Sequence, residues 1–105
     1  MTLEELKTIL DGTELPVAYL AFPADQVPQM PFIVYQELGS DNMGADNIVW
    51  HSPTRVQIDL ICRRRSRTTE LTVETALKNA GIFWERDVNF ESDDDFYRTS
   101  YNAEI

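Results

Sequence analysis

The longest regular alternation of apolar and polar residues lies at 54–64, TRVQIDLICRR. Val56, Ile58, Leu60 and Cys62 fall on one side and Arg55, Gln57, Asp59 and Arg63 on the other, with Ile61 the one exception. A period of two in a β-branched run predicts a strand with one buried and one solvated face. Its length suits the interior of a sheet. The remaining segments sort around it. Residues 2–11 read as a helix, with Leu3, Leu6, Ile9 and Leu10 at helical spacing and a Thr2/Glu5 capping box at the start. Asp11-Gly12 ends it, with Gly12 expected in the left-handed conformation. Pro16 opens an apolar run, 17–22, expected as a strand in an edge or first-residue position. Residues 23–31 hold three prolines and read as a loop.

Residues 32–38, FIVYQEL, form the next expected strand, with mixed alternation. Residues 39–47, GSDNMGADN, are the most turn-rich segment, longer than the roughly two to five residues of a tight hairpin. Residues 48–51 resume a strand, Ser52-Pro53 breaks it, and the alternating run follows. Together these predict a long hairpin over 32–64 with a protruding loop. A second helix is expected over 66–80, capped by Ser66 or Thr68, with Val73, Ala76, Leu77 and Ala80 as its stripe, Leu71 beside it and Gly81 just past its end. Residues 82–90 form a strand with Ile82, Trp84, Val88 and Phe90 on one side. After an acidic turn at 91–95, residues 96–105 form a last strand that turns Tyr97, Thr99, Tyr101, Ala103 and Ile105 to the core. The order is α-β-β-β-α-β-β. It predicts an α+β fold, a mainly antiparallel sheet with two helices on one face. Tyr35, Trp50, Trp84, Phe90, Phe96 and Tyr97 are expected in the core.

Length and composition narrow the class. A chain of 105 residues, 43% hydrophobic and with five prolines, reads as one globular domain, 1–105. No apolar run approaches the roughly 18–20 residues that span a membrane. The opening MTLEELKTIL places acids before its apolar residues, the reverse of a secretory signal, so a cytoplasmic product is expected. The single Cys62 excludes an internal disulfide and reads as a small buried hydrophobe.

The net charge of −9 is unevenly spread. Five arginines stand against Asp59 over 55–67, and seven acids against Arg86 and Arg98 over 85–105. Overall acidity argues against a general nucleic-acid binder. Unlike patches on one small chain allow copies to associate head to tail, or simply keep it soluble.

Nothing in the sequence assembles a catalytic site. The only histidine, His51, stands beside Ser52-Pro53, and a triad needs a base with an orienting group. One Cys and one His do not make a zinc site, and there is no Gly-rich phosphate loop. Two acidic segments could meet a hard cation: Glu91 with Asp93, Asp94 and Asp95, and the 41–46 segment, which lacks the spacing and closing Glu of a calcium loop. Both read more plainly as solvated turns, and no metal site is expected. The run Arg63-Arg64-Arg65-Ser66-Arg67 enters a helix N-terminus, where positive charge opposes the helix dipole. It suits an anionic partner: phosphate, nucleic acid or the acidic edge of another subunit. A solvated basic loop is the plainer alternative.

The order of short motifs is familiar as a whole. A short helix runs into Pro16-Val17-Ala18-Tyr19, a loop opens with Phe22-Pro23, and Pro31-Phe32-Ile33-Val34-Tyr35 follows. Then come Ser40-Asp41-Asn42-Met43 with Ala45-Asp46, the strand Val56-Gln57-Ile58-Asp59-Leu60, a helix over 70–77, Trp84, Phe90-Glu91-Ser92, and a last strand. This series resembles the small neck proteins of long-tailed, non-contractile bacteriophages and prophages, in particular their tail terminator, or tail-completion, family. The resemblance implies an α+β fold and a homohexameric ring that caps the last ring of major tail protein, ends tail-tube polymerisation and docks to the head–tail connector proteins. It implies no reaction, a place in the virion after assembly in the bacterial cytoplasm, DNA passing through the ring without sequence recognition, and at most assistance by Mg²⁺. Arg63, Arg64, Arg65 and Arg67 would then face the Asp93, Asp94, Asp95 turn of a neighbour or the lumen, and Asp41, Asn42, Met43 and Asp46 would contact an adjoining ring. Other readings are a different neck ring, such as a head-closure or connector component, and a small α+β regulatory or ligand-binding domain.

Overall fold

The computed structural model describes residues 1–40 and 54–105. They form α1 (Leu3–Asp11), β1 (Val17–Tyr19), β2 (Phe32–Ser40), β3 (Thr54–Cys62), α2 (Arg67–Asn79), β4 (Trp84–Glu91) and β5 (Phe96–Glu104). This is an α+β fold in the expected order α-β-β-β-α-β-β. The strands make one mixed sheet in the spatial order β1-β2-β3-β5-β4, with only the β1–β2 pair parallel.

Local chemistry sets the helices. In α1 the Thr2 hydroxyl accepts from the Glu5 N–H and the Glu5 carboxylate accepts from the Thr2 N–H, both at 3.1 Å, closing the expected capping box. Leu6 and Leu10 are fully buried. The end of α1 differs from expectation. Gly12 stays right-handed (φ −65°, ψ −14°), and Glu14 takes the left-handed backbone instead (φ 65°). Buried Thr13 explains this: its N–H and its hydroxyl both donate to the Leu10 carbonyl, at 3.0 and 2.6 Å, so the helix end is satisfied without a glycine cap. In α2 the cap is Ser66, whose hydroxyl accepts from the Thr69 N–H, and Gly81 takes φ +76° just past the end.

The apolar run after Pro16 is a strand for three residues only. Leu20 turns the chain at φ 67°, and its N–H donates to the Tyr35 carbonyl at 2.8 Å. A parallel partner needs a crossover. Residues 20–31 supply it as an irregular loop that passes beneath the helix-free face of the sheet.

Both helices pack on the other face. There Leu6, Leu10, Val73 and Leu77 meet Ile33, Tyr35, Ile58, Leu60 and Tyr101 in one core. The central strand β3 departs from the simple alternation: Asp59 and Ile61, on its helix-free side, are buried as well. The reason is the crossover loop, which brings Phe22 edge-on to Phe32 at 5.3 Å and covers that end of the sheet. Of the aromatics expected in the core, Tyr35 is buried and Trp84 packs on the cluster, edge-on to Tyr101. Phe90 is half exposed and leans on Tyr97, because β4 is an edge strand. Trp50 and the strand expected over 48–51 lie outside the described residues, as does the tip of the β2–β3 hairpin.

Candidate interaction surfaces

The arginine run divides between two environments. Arg65 and Arg67 turn onto α2. Arg67 lies 2.6 Å from one Glu70 oxygen and 3.3 Å from Glu74, and Arg65 lies 3.2 Å from the other Glu70 oxygen. Arg86 reaches the same pair from β4, 3.5 Å from Glu70 and 2.9 Å from Glu74. Glu70 is almost wholly buried, so three guanidinium groups close over it from solvent. The Tyr101 hydroxyl completes the group by donating to Glu74 at 2.9 Å. Burial pushes the Glu74 carboxyl up, but the hydrogen bonds from Tyr101, Arg86 and Arg67 outweigh it, and its pKa lies below the ordinary value. Burial, then the bond to Glu74, pushes the Tyr101 hydroxyl far up. Arg65 and Arg67, expected to oppose the helix dipole without compensation, therefore have internal partners.

Arg63 and Arg64 point the other way, toward the β4–β5 turn. Arg63 donates to the backbone carbonyls of Asp95 at 3.0 Å and Asp94 at 3.4 Å. Its approach to the Asp95 carboxylate is 3.9 Å and that of Arg64 is 3.8 Å, the two longest ion pairs among the described residues. The unlike patches of the sequence thus meet within one chain, loosely, and both arginines stay more than half exposed. Asp93 makes no ion pair among the described residues.

A second charged group holds the helix-free face. Buried Asp59 accepts from Ser100 at 2.7 Å, from Arg98 at 2.9 Å and from Gln57 at 3.0 Å. Arg98 also reaches Glu91 at 3.4 Å. Beside this group the crossover loop and the sheet enclose an apolar groove of about 760 Å³. Phe22, Met30, Phe32, Ile61 and Phe96 line it, with Leu20 and Val27 exposed at its rim and Arg63 at one end. Gln29, Gln36, Asp59, Asp94 and Arg98 also line it, and an apolar cleft with convergent polar groups is the form of a binding site.

Sequence reasoning missed Glu70, Glu74, Asp59 and the groove. A signal for the first existed: Glu70 sits three residues before Val73 and three after Arg67, a carboxylate in the apolar stripe within reach of the arginine run. Cys62 is buried, and burial, then the nearby Glu70, pushes its thiol up, the opposite of a reactive cysteine. No cluster of three or more metal-ligating side chains occurs among the described residues, and no helix there is long and apolar enough to cross a membrane. Asp41, Asn42, Met43, Asp46 and His51 lie outside the described residues. The chain matches no protein-family model and no curated protein.

Proposed function

We propose that the protein is a structural component of a bacteriophage neck, a tail terminator that forms a hexameric ring on the last ring of major tail protein and joins the tail to the head. The observation that carries this reading is the motif series from Pro16-Val17-Ala18-Tyr19 to Phe90-Glu91-Ser92, in an α-β-β-β-α-β-β order that agrees with the fold. Loosely paired Arg63 and Arg64 beside the 93–95 turn support a contact between unlike patches of neighbouring copies, as a closed ring requires. The function is assembly without a reaction; the virion is its place, and DNA passes through the ring.

The test is polymerisation of the major tail protein encoded in the same genome, with and without this protein. Tubes of set length capped by six-fold rings in negative stain are expected; tubes of unchanged length rule the function out. Arg64→Glu is the informative variant. It should weaken ring formation about tenfold or more while leaving the fold intact, read by light scattering with and without Mg²⁺. Arg65 is unsuited to such a swap, because a carboxylate there would face buried Glu70. The groove favours one other reading, a small ligand-binding domain; a strict monomer that fails to bind tail tubes supports it.

A further inference from the structure

The apolar groove ends at the β4–β5 turn, where Asp94 lines it. Neither the Asp94 carboxylate nor that of Asp93 makes an ion pair among the described residues. The positive groups beside them are already engaged. Arg98 is held by Asp59 at 2.9 Å and by Glu91 at 3.4 Å. Arg63 donates to the carbonyls of Asp95 and Asp94, and Arg64 approaches the Asp95 carboxylate at 3.8 Å. Around this end five carboxylates, of Asp59, Glu91, Asp93, Asp94 and Asp95, stand against the three guanidinium groups of Arg63, Arg64 and Arg98. The excess is negative, and its two unpaired members are both acids.

The walls have the same preference. Phe22, Phe32 and Phe96 line the groove, with Phe22 edge-on to Phe32 at 5.3 Å. Phe96 already takes a cation, the Arg98 guanidinium, 5.8 Å from its ring centre. Aromatic faces attract cations, more strongly where water is displaced. The other polar lining groups, the carboxamides of Gln29 and Gln36, are uncharged and do not discriminate. We propose that the groove binds a small organic cation, an ammonium group on an apolar body. The body lies against Phe22, Met30 and Phe32, and the ammonium faces Asp94. An anion on the same body would meet two unpaired carboxylates, and a neutral ligand would gain only the apolar contact. The site is complete within one chain, so it does not depend on the ring reading.

Calorimetric titration of the full chain at pH 7 tests it with three probes that share one apolar chain: n-octylamine, 1-octanol and octanoate. Octylamine should bind about fivefold more tightly than octanol and about tenfold or more over octanoate. Asp94→Asn, at an exposed position, should bring octylamine down to the level of octanol. Glu85→Gln makes the same change of charge outside the groove and should leave the preference intact. In amide spectra of wild type, octylamine should shift the signals of residues 20–36 and 94–98. Octanoate binding as tightly as octylamine overturns the proposal, as does the absence of octylamine binding at millimolar concentration. Equal losses in Asp94→Asn and Glu85→Gln overturn it too, since attraction to the net charge of −9 would then account for the binding. Shifts centred on the helices instead of the groove also overturn it. Each of these results leaves the tail-terminator reading standing, because tube length judges that reading separately.

Discussion

Glu74 sits where burial and hydrogen bonding pull its carboxyl in opposite directions, and hydrogen bonding wins. Its folded pKa therefore lies below the ordinary 4.5, so the fold favours the ionised form. The stability this contributes is complete above the unfolded value and is lost as pH falls through the folded one. Glu74→Gln should be about 1–2 kcal/mol less stable than wild type at pH 7, and the gap should close in acid below 4.5. Chemical denaturation at pH 7 and pH 3 measures both; a constant gap would show that charge is not what Glu74 contributes. Little of this cluster could be read from the chain. Glu70 and Glu74 are one turn apart on α2, but Arg86 and Tyr101 arrive from β4 and β5, and no local pattern couples them. Asp59 illustrates the same limit. Strand parity placed it opposite Ile58, as found, while its burial depends on the loop over 20–31, far from it in the chain.

At the scale of elements, the parts written in neighbouring residues were legible. Both helices begin at their side-chain caps, and β3, β4 and β5 lie within a residue or two of the runs expected for them. Ser66→Ala should cost about 1 kcal/mol through the lost bond to the Thr69 N–H. Urea unfolding reads it, and an unchanged midpoint would mean that the α2 N-terminus is held by packing alone. Where the competing signal was distant, the reading stopped short. The run after Pro16 has the composition of a six-residue strand, but only Val17–Tyr19 find a partner in β2, and the left-handed turn at Leu20 commits the rest to the crossover. That commitment also creates the groove. Its apolar residues come from a proline-rich loop and three strands, a combination no single window of sequence displays.

For the whole molecule, the charge map of the chain and that of its surface are different things. A run of four arginines in five residues suggests a basic patch, yet Arg65 and Arg67 spend their charge on Glu70 and Glu74 and leave Arg63 and Arg64 as the outward pair. The strand order has a consequence of another kind, for synthesis. β5 lies between β3 and β4, so both are missing a neighbour until residues 96–104 are available. A chain still attached to the ribosome can close the β2–β3 hairpin and lay helices over it, but β4 then has no strand to pair with, and the edge of β3 that pairs with β5 stays open. Nascent chains arrested with residues 1–95 outside the exit tunnel should remain sensitive to protease, and those exposing residues 1–105 should become resistant. Resistance at the shorter length would show that the hairpin and helices are stable by themselves. A sheet whose interior strand is made after both of its neighbours folds late, with an open apolar seam that chaperones can reach until then.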